Sequence, residues 1–158
     1  MRDGFTLTKT SELSSRAKEQ LLALWNTEYP EKLAYTQEGF EGYLQALSNA
    51  THWLLADEQG MLCGWTFSFD REQERWFAIL LAEAAQGQGL GRVMLDALKQ
   101  TESTLNGWVI DHGNDRRRNG QPYRSPMGFY KKCGFTVLHG TRLELEKLSA
   151  VKISWTAA

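Results

Sequence analysis

The stretch "QGQGLGR", residues 86–92, sets three glycines on alternate positions between an apolar run and a helical pattern. A helix starting near Gly89 leaves its first N–H groups without intrahelical acceptors, at the positive end of the helix dipole. Such donors make a seat for a phosphate-sized anion. Glycine lets the main chain come close to anion oxygens with no Cβ in the way, and it permits positive φ where the loop folds back. A tight strand-to-helix turn with nothing bound would use the same residues, so spacing alone leaves both readings open.

The elements that must position this turn can be read from periodicity. "FTL" (5–7) alternates as a short strand, and Leu13, Ala17, Leu21, Leu24 and Trp25 share one helix face ahead of Pro30. Phe40, Tyr43, Leu44 and Leu47 mark a second helix entered at Thr36. Three strand-like runs follow, 52–56, 61–69 and 75–82, separated by the polar turns "DEQG" and "DREQE", which predicts antiparallel hairpins. Leu90, Val93, Met94, Ala97 and Leu98 then repeat as a helix packed on a sheet. "GWVI" (107–110) reads as a buried strand, and the polar loop "DHGNDRRRNGQPYR" follows it. Ser125 as N-cap, Pro126 as first helical residue and Gly134 as stop enclose a two-turn helix. Strands are expected at 135–138, 142–148 and 151–155. The strand, glycine turn, helix and strand at the centre imply one parallel crossover in a mainly antiparallel sheet.

Two well-known phosphate loops do not fit. A Walker loop needs Gly-Lys-Ser/Thr, whereas Gly91 precedes Arg92 and Val93. A dinucleotide fingerprint belongs to a first βαβ unit, whereas these preceding strands are hairpin-linked. Gln86-x-x-Gly89-x-Gly91 instead resembles the Gln/Arg-x-x-Gly-x-Gly/Ala signature of the GNAT acyltransferase superfamily. "GFYKKCGF" (128–135) is similar to that family's late aromatic-Tyr-x-x-x-Gly-Phe segment, and the order of elements over residues 5–148 is similar too.

The resemblance implies an α/β (α+β) fold: a mixed, mostly antiparallel sheet of about six or seven strands, with helices on both faces and a splay between the fourth and fifth. It implies acetyl-CoA as co-substrate, with its diphosphate on the backbone of Gln86, Gly87, Gln88, Gly89, Leu90 and Gly91, helped by Arg92. Pantetheine would lie in the splay and pair with the Leu81 backbone. The implied activity is N-acyl transfer, with acetyl as the expected group, to a small-molecule or peptide amine.

Such a transfer needs a neutral amine aimed at the carbonyl, a donor for the oxyanion and a proton for the leaving thiolate. No Ser/His/Asp or Cys/His arrangement is evident, so direct attack in a ternary complex is expected. Tyr130, at the family's tyrosine, is the implied general acid. Asp111 and His112, just past the fifth strand, are candidate bases, with Glu74 and Glu83 behind them. Tyr123 and Pro126 replace the family's common Asn and Ala, and Arg116, Arg117, Arg118 and Arg124 make the loop basic, suited to a polar or acidic acceptor group. Trp25, Trp53, Trp65 and Trp76 are core aromatics that could line an acceptor cleft.

The whole chain bounds these readings. Its 158 residues suit a single domain, 1–158, and 42% hydrophobic with 23% charged residues is ordinary globular composition. A net charge of -1 supplies no global field for nucleic acid or acidic membranes. Cys63 and Cys133 form no C-x-x-C pair, which suits reduced thiols. With no membrane-length apolar run and no signal-like start, the expected location is cytoplasmic. No metal is expected, and the "VKISW" strand either completes its own sheet or, as an edge strand, pairs with a neighbour in a homodimer. A non-catalytic acyl-CoA-binding domain of the same fold is the alternative to an enzyme.

Overall fold

A computed structural model describes residues 3–158. The elements run β1 (Thr6–Thr10), α1 (Ser15–Glu28), α2 (Gln37–Gln45), β2 (Ser48–Ala56), β3 (Leu62–Arg71), β4 (Glu74–Leu81), α3 (Leu90–Thr101), β5 (Thr104–Val109), α4 (Met127–Lys132), β6 (Thr136–Leu145) and β7 (Leu148–Thr156). Local chemistry sets the helix starts. Ser14 Oγ accepts the N–H of Ala17, and Thr36 Oγ1 accepts that of Gly39.

The seven strands form one sheet in the order β1-β2-β3-β4-β5-β7-β6, antiparallel except for β4 and β5. Alternation along β4 sends its side chains to two cores. Trp76 and Leu80 join Leu21, Trp25, Phe40 and Trp65 under α1 and α2. Phe77 joins Leu95, Leu98, Tyr130 and Phe135 under α3 and α4. The expected mixed sheet with helices on both faces is therefore present.

The splay is present as well. β3 and β4 pair continuously from Arg71↔Glu74 to Gly64↔Leu81, and β5 pairs with β7 throughout Thr104–Val109. β4 and β5 share a single rung, Trp76↔Asn106, reinforced by Asn106 Nδ2 donating to the Arg75 carbonyl at 3.1 Å. Beyond that rung the two strands leave a slot through the sheet.

Three expectations change at the C-terminal end. "FTVL" and "RLEL" are one strand, β6, with a register shift between Leu138 and Arg142. The tight turn falls at residues 146–147, inside the run expected to be a strand over 142–148. "VKISW" lies in β7, between β5 and β6, so of its two expected fates it takes the first and completes its own sheet; the edges are β1 and β6. Ser125 Oγ accepts the N–H of Met127 at 3.3 Å, and Pro126 is the residue ahead of α4 rather than its first. Among the described residues, no helix is long and apolar enough to cross a membrane.

Candidate active site

A cleft of about 900 Å³ opens at the slot. At one end it is lined by Gln86, Gly87, Gly89, Leu90, Gly91 and Arg92. Gly87 (φ 78°) and Gly89 (φ 80°) are left-handed, a conformation that glycine adopts without cost. The α3 ladder begins with Val93 N–H on the Gly89 carbonyl at 3.2 Å, so the N–H groups of Leu90, Gly91 and Arg92 precede it. A Cβ at Gly89 would meet no protein atom within 4 Å. A diphosphate fits this seat. Gln88 does not line the cleft; its side chain donates to the Ala84 carbonyl at 3.3 Å.

β4 leads from this seat into the slot. Ala82 N–H bonds the Cys63 carbonyl of β3 at 2.7 Å, so by strand alternation the polar groups of Leu81 face the slot. The Leu81 carbonyl already accepts Gln86 Nε2 at 3.0 Å, which leaves its N–H as the group offered to an extended ligand.

Tyr130 lies on the cleft wall, 6% exposed, edge-on to Phe77 with ring centroids 5.7 Å apart. Burial pushes its phenol well above the usual tyrosine range, and the neighbouring Tyr123 and Cys133 add to the shift. The hydroxyl therefore stays protonated at neutral pH. Tyr123 lines the same wall, its ring 6.4 Å from that of Tyr29.

The model of the family described as "Acetyltransferase (GNAT) domain" matches residues 48–137, the segment that holds the slot, the glycine loop and Tyr130. The chain belongs to the GNAT acetyltransferase family. This acyltransferase is also similar in fold to solved relatives. An aminoglycoside 6'-N-acetyltransferase complexed with coenzyme A is 14% identical, with 96% of each chain covered and a TM-score of 0.71. A GNAT superfamily phosphinothricin acetyltransferase from Sinorhizobium meliloti, in complex with AcCoA, is 11% identical, covering 97% of this chain and 88% of its own, with a TM-score of 0.69. A spermidine/spermine N-acetyltransferase from Vibrio cholerae is 13% identical, covering 97% and 92%, with a TM-score of 0.62. No curated protein sequence matches the chain.

The candidate bases read from the sequence are not brought to the GNAT cleft. Asp111 receives two hydrogen bonds from Arg142, at 2.8 and 3.0 Å, which hold its carboxyl below the usual range. His112 Nδ1 accepts the N–H of Asn114 at 3.1 Å, and its Nε2 stands 3.9 Å from Asp115. Neither residue lines the cleft. Glu74 pairs with Lys152 at 2.9 Å and Glu83 with Arg117 at 3.2 Å.

Glu28, which sequence reasoning passed over, does line the cleft. It ends α1, and Tyr29 and Pro30 turn the chain away directly after it. One oxygen faces Arg117 at 3.4 Å and the other accepts the Glu83 N–H at 3.3 Å, yet burial outweighs both and raises its pKa. Its only signal in the sequence is a carboxylate placed at a helix end before a proline.

Of the basic loop's arginines, Arg117 is neutralised, whereas Arg116, Arg118 and Arg124 are exposed. Arg117 is 11% exposed and clamped between Glu28 and Glu83. Arg116 caps the Gly120 carbonyl, Glu31 N–H bonds the Arg116 carbonyl at 2.8 Å, and Lys32 pairs with buried Asp115 at 2.7 Å. The loop is thereby strapped to the end of α1. Of the tryptophans named from sequence, Trp25 and Trp76 line the cleft; Trp65 is wholly buried, and Trp53 packs towards α3 and α4. Trp108 joins the lining from β5.

Proposed function

We propose that this single domain is an N-acetyltransferase that moves an acetyl group from acetyl-CoA to a primary amine by direct attack within a ternary complex. The observation that carries the reading is one continuous cleft. It joins a diphosphate seat on α3 to a slot in the sheet and to a chamber on the opposite face, with Tyr130 and Glu28 both on its wall.

Acetyl-CoA, when bound, supplies the activated acyl group. The main-chain nitrogens of Gly87, Gly89, Leu90, Gly91 and Arg92 hold the diphosphate, and the Leu81 N–H and the slot walls orient the arm behind it. Tyr130 keeps its proton until sulfur departs and then delivers it there. Among the described residues lining the cleft, Glu28 is the only carboxylate. A raised pKa makes it a stronger base than an exposed glutamate, so it is the group to strip the acceptor ammonium of its proton. Asp111 and His112, directed elsewhere, take no part in this scheme. No residue need form a covalent acyl intermediate.

The test is thiol release from acetyl-CoA across a panel of amines. Amine-dependent, saturable release supports the reading; bound acetyl-CoA with no release on any amine would assign the chain to a binding role instead.

A further inference from the structure

The far side of the cleft is a chamber under α1 and α2 whose rings touch one another. Trp25 lies 5.3 Å from Tyr35 and 5.1 Å from Tyr43 between centroids, and Trp76 lies 5.2 Å from Trp108. Leu143, Leu145 and Leu148 of the β6–β7 hairpin, the last two paired across it, add to the apolar lining. The charges are lopsided. Glu28 is the one carboxylate among the described lining residues, and Arg117 already faces it; Arg71, Arg92, Arg124, Lys132 and Lys147 are all cations.

We infer that the acceptor is a primary amine carried on an apolar, ring-sized body with no second positive charge: its nitrogen faces Glu28 and its body fills the aromatic chamber. This deepens the acetyltransferase reading and rests on it. Each buried ammonium needs a carboxylate or an equivalent set of acceptors. A polyamine or a polyaminated sugar would find one, and would then meet the like charges of Arg71 and Lys147. Aromatic faces can hold a cation without a carboxylate. Here the faces of Phe69 and Trp76 are covered by the Arg71 guanidinium, at 5.0 and 4.7 Å, and Lys152 lies 5.2 Å from the Trp76 centroid. What remains open suits an uncharged body, which gains by leaving water.

The experiment titrates 2-phenylethylamine and spermidine into the full chain saturated with coenzyme A, following binding by calorimetry. 2-Phenylethylamine should bind at least 30-fold more tightly. Trp108→Ala should cut that preference several-fold, and Trp108→Phe should restore much of it; Trp108 is only partly buried, so both variants should fold. Spermidine binding as well or better would overturn the inference, as would failure of 2-phenylethylamine to bind. Failure of the acetyltransferase reading looks different, since acetyl-CoA would then not bind, or would release no thiol, whatever the ranking of the amines.

Discussion

Replacing Gly89 by alanine separates the conformational role of this residue from its role at the ligand. Gly89 has φ +80° and no protein atom within 4 Å of a built Cβ. The only cost to the fold is then a side chain in the left-handed region, about 1–2 kcal/mol. For a chain of this length that lowers Tm by roughly 2–8 °C, at about 2–4 °C per kcal/mol. Gly60, in the turn between β2 and β3, supplies a matched control: it has the same φ of +80°, the same open surroundings and no part in the cleft. Gly60→Ala should lose comparable stability and nothing else. If the proposed seat holds the diphosphate, the methyl of Gly89→Ala would also keep it away from the main-chain nitrogens. Losing one hydrogen bond to a charged group costs about 1.5–3 kcal/mol, and each 1.4 kcal/mol is tenfold. Its coenzyme A affinity should thus fall about 10- to 100-fold. Calorimetric titration beside thermal melts of both variants measures each quantity. Equal coenzyme affinities for the two variants would refute the cradle.

Two further substitutions test the chemistry. Tyr130→Phe removes a hydroxyl for which no hydrogen bond to another described residue is seen; Tm should change little while kcat falls about 100-fold or more, within the usual range for a lost general acid. Unchanged kcat would remove Tyr130 from proton transfer. Glu28 works as a base only when ionised, and burial raises its pKa, so kcat/KM should climb with pH through a limb set above the ordinary glutamate value. Glu28→Gln should abolish that limb and leave only the acceptor's own ionisation; an unaltered profile would exclude Glu28 as the base.

What the sequence conveyed divides along physical lines. The seat proposed for an anion at Gly87 to Arg92 is a matter of main-chain geometry, and the glycine spacing encodes that geometry locally. The crossover followed from hairpin-length turns before β4 and a helix after it, again local signals, whereas the splay was implied by the family resemblance. The base was harder because it depends on which distant segments meet. Asp111 stands at the right point of the chain, but Arg142, 31 residues later, turns its carboxylate aside. Glu28 carries no motif and acquires its surroundings only when the 111–126 loop brings Arg117 onto the end of α1. At residues 139–141, Gly140 resembles a turn signal but the chain passes through as a register shift. The true turn at Glu146 and Lys147 has neither glycine nor proline to announce it.

The lone rung between Trp76 and Asn106 has a mechanical consequence. It makes the sheet two leaves, β1 to β4 and β5 with β7 and β6, stitched at one end and free at the other. Stiffness across that seam must come from helices bridging the leaves or from whatever lodges in the gap. A guest that threaded the gap would act as a mortar joint between the two leaves. If acetyl-CoA is that guest, as proposed, its occupancy would be tied to the shape offered to the acceptor.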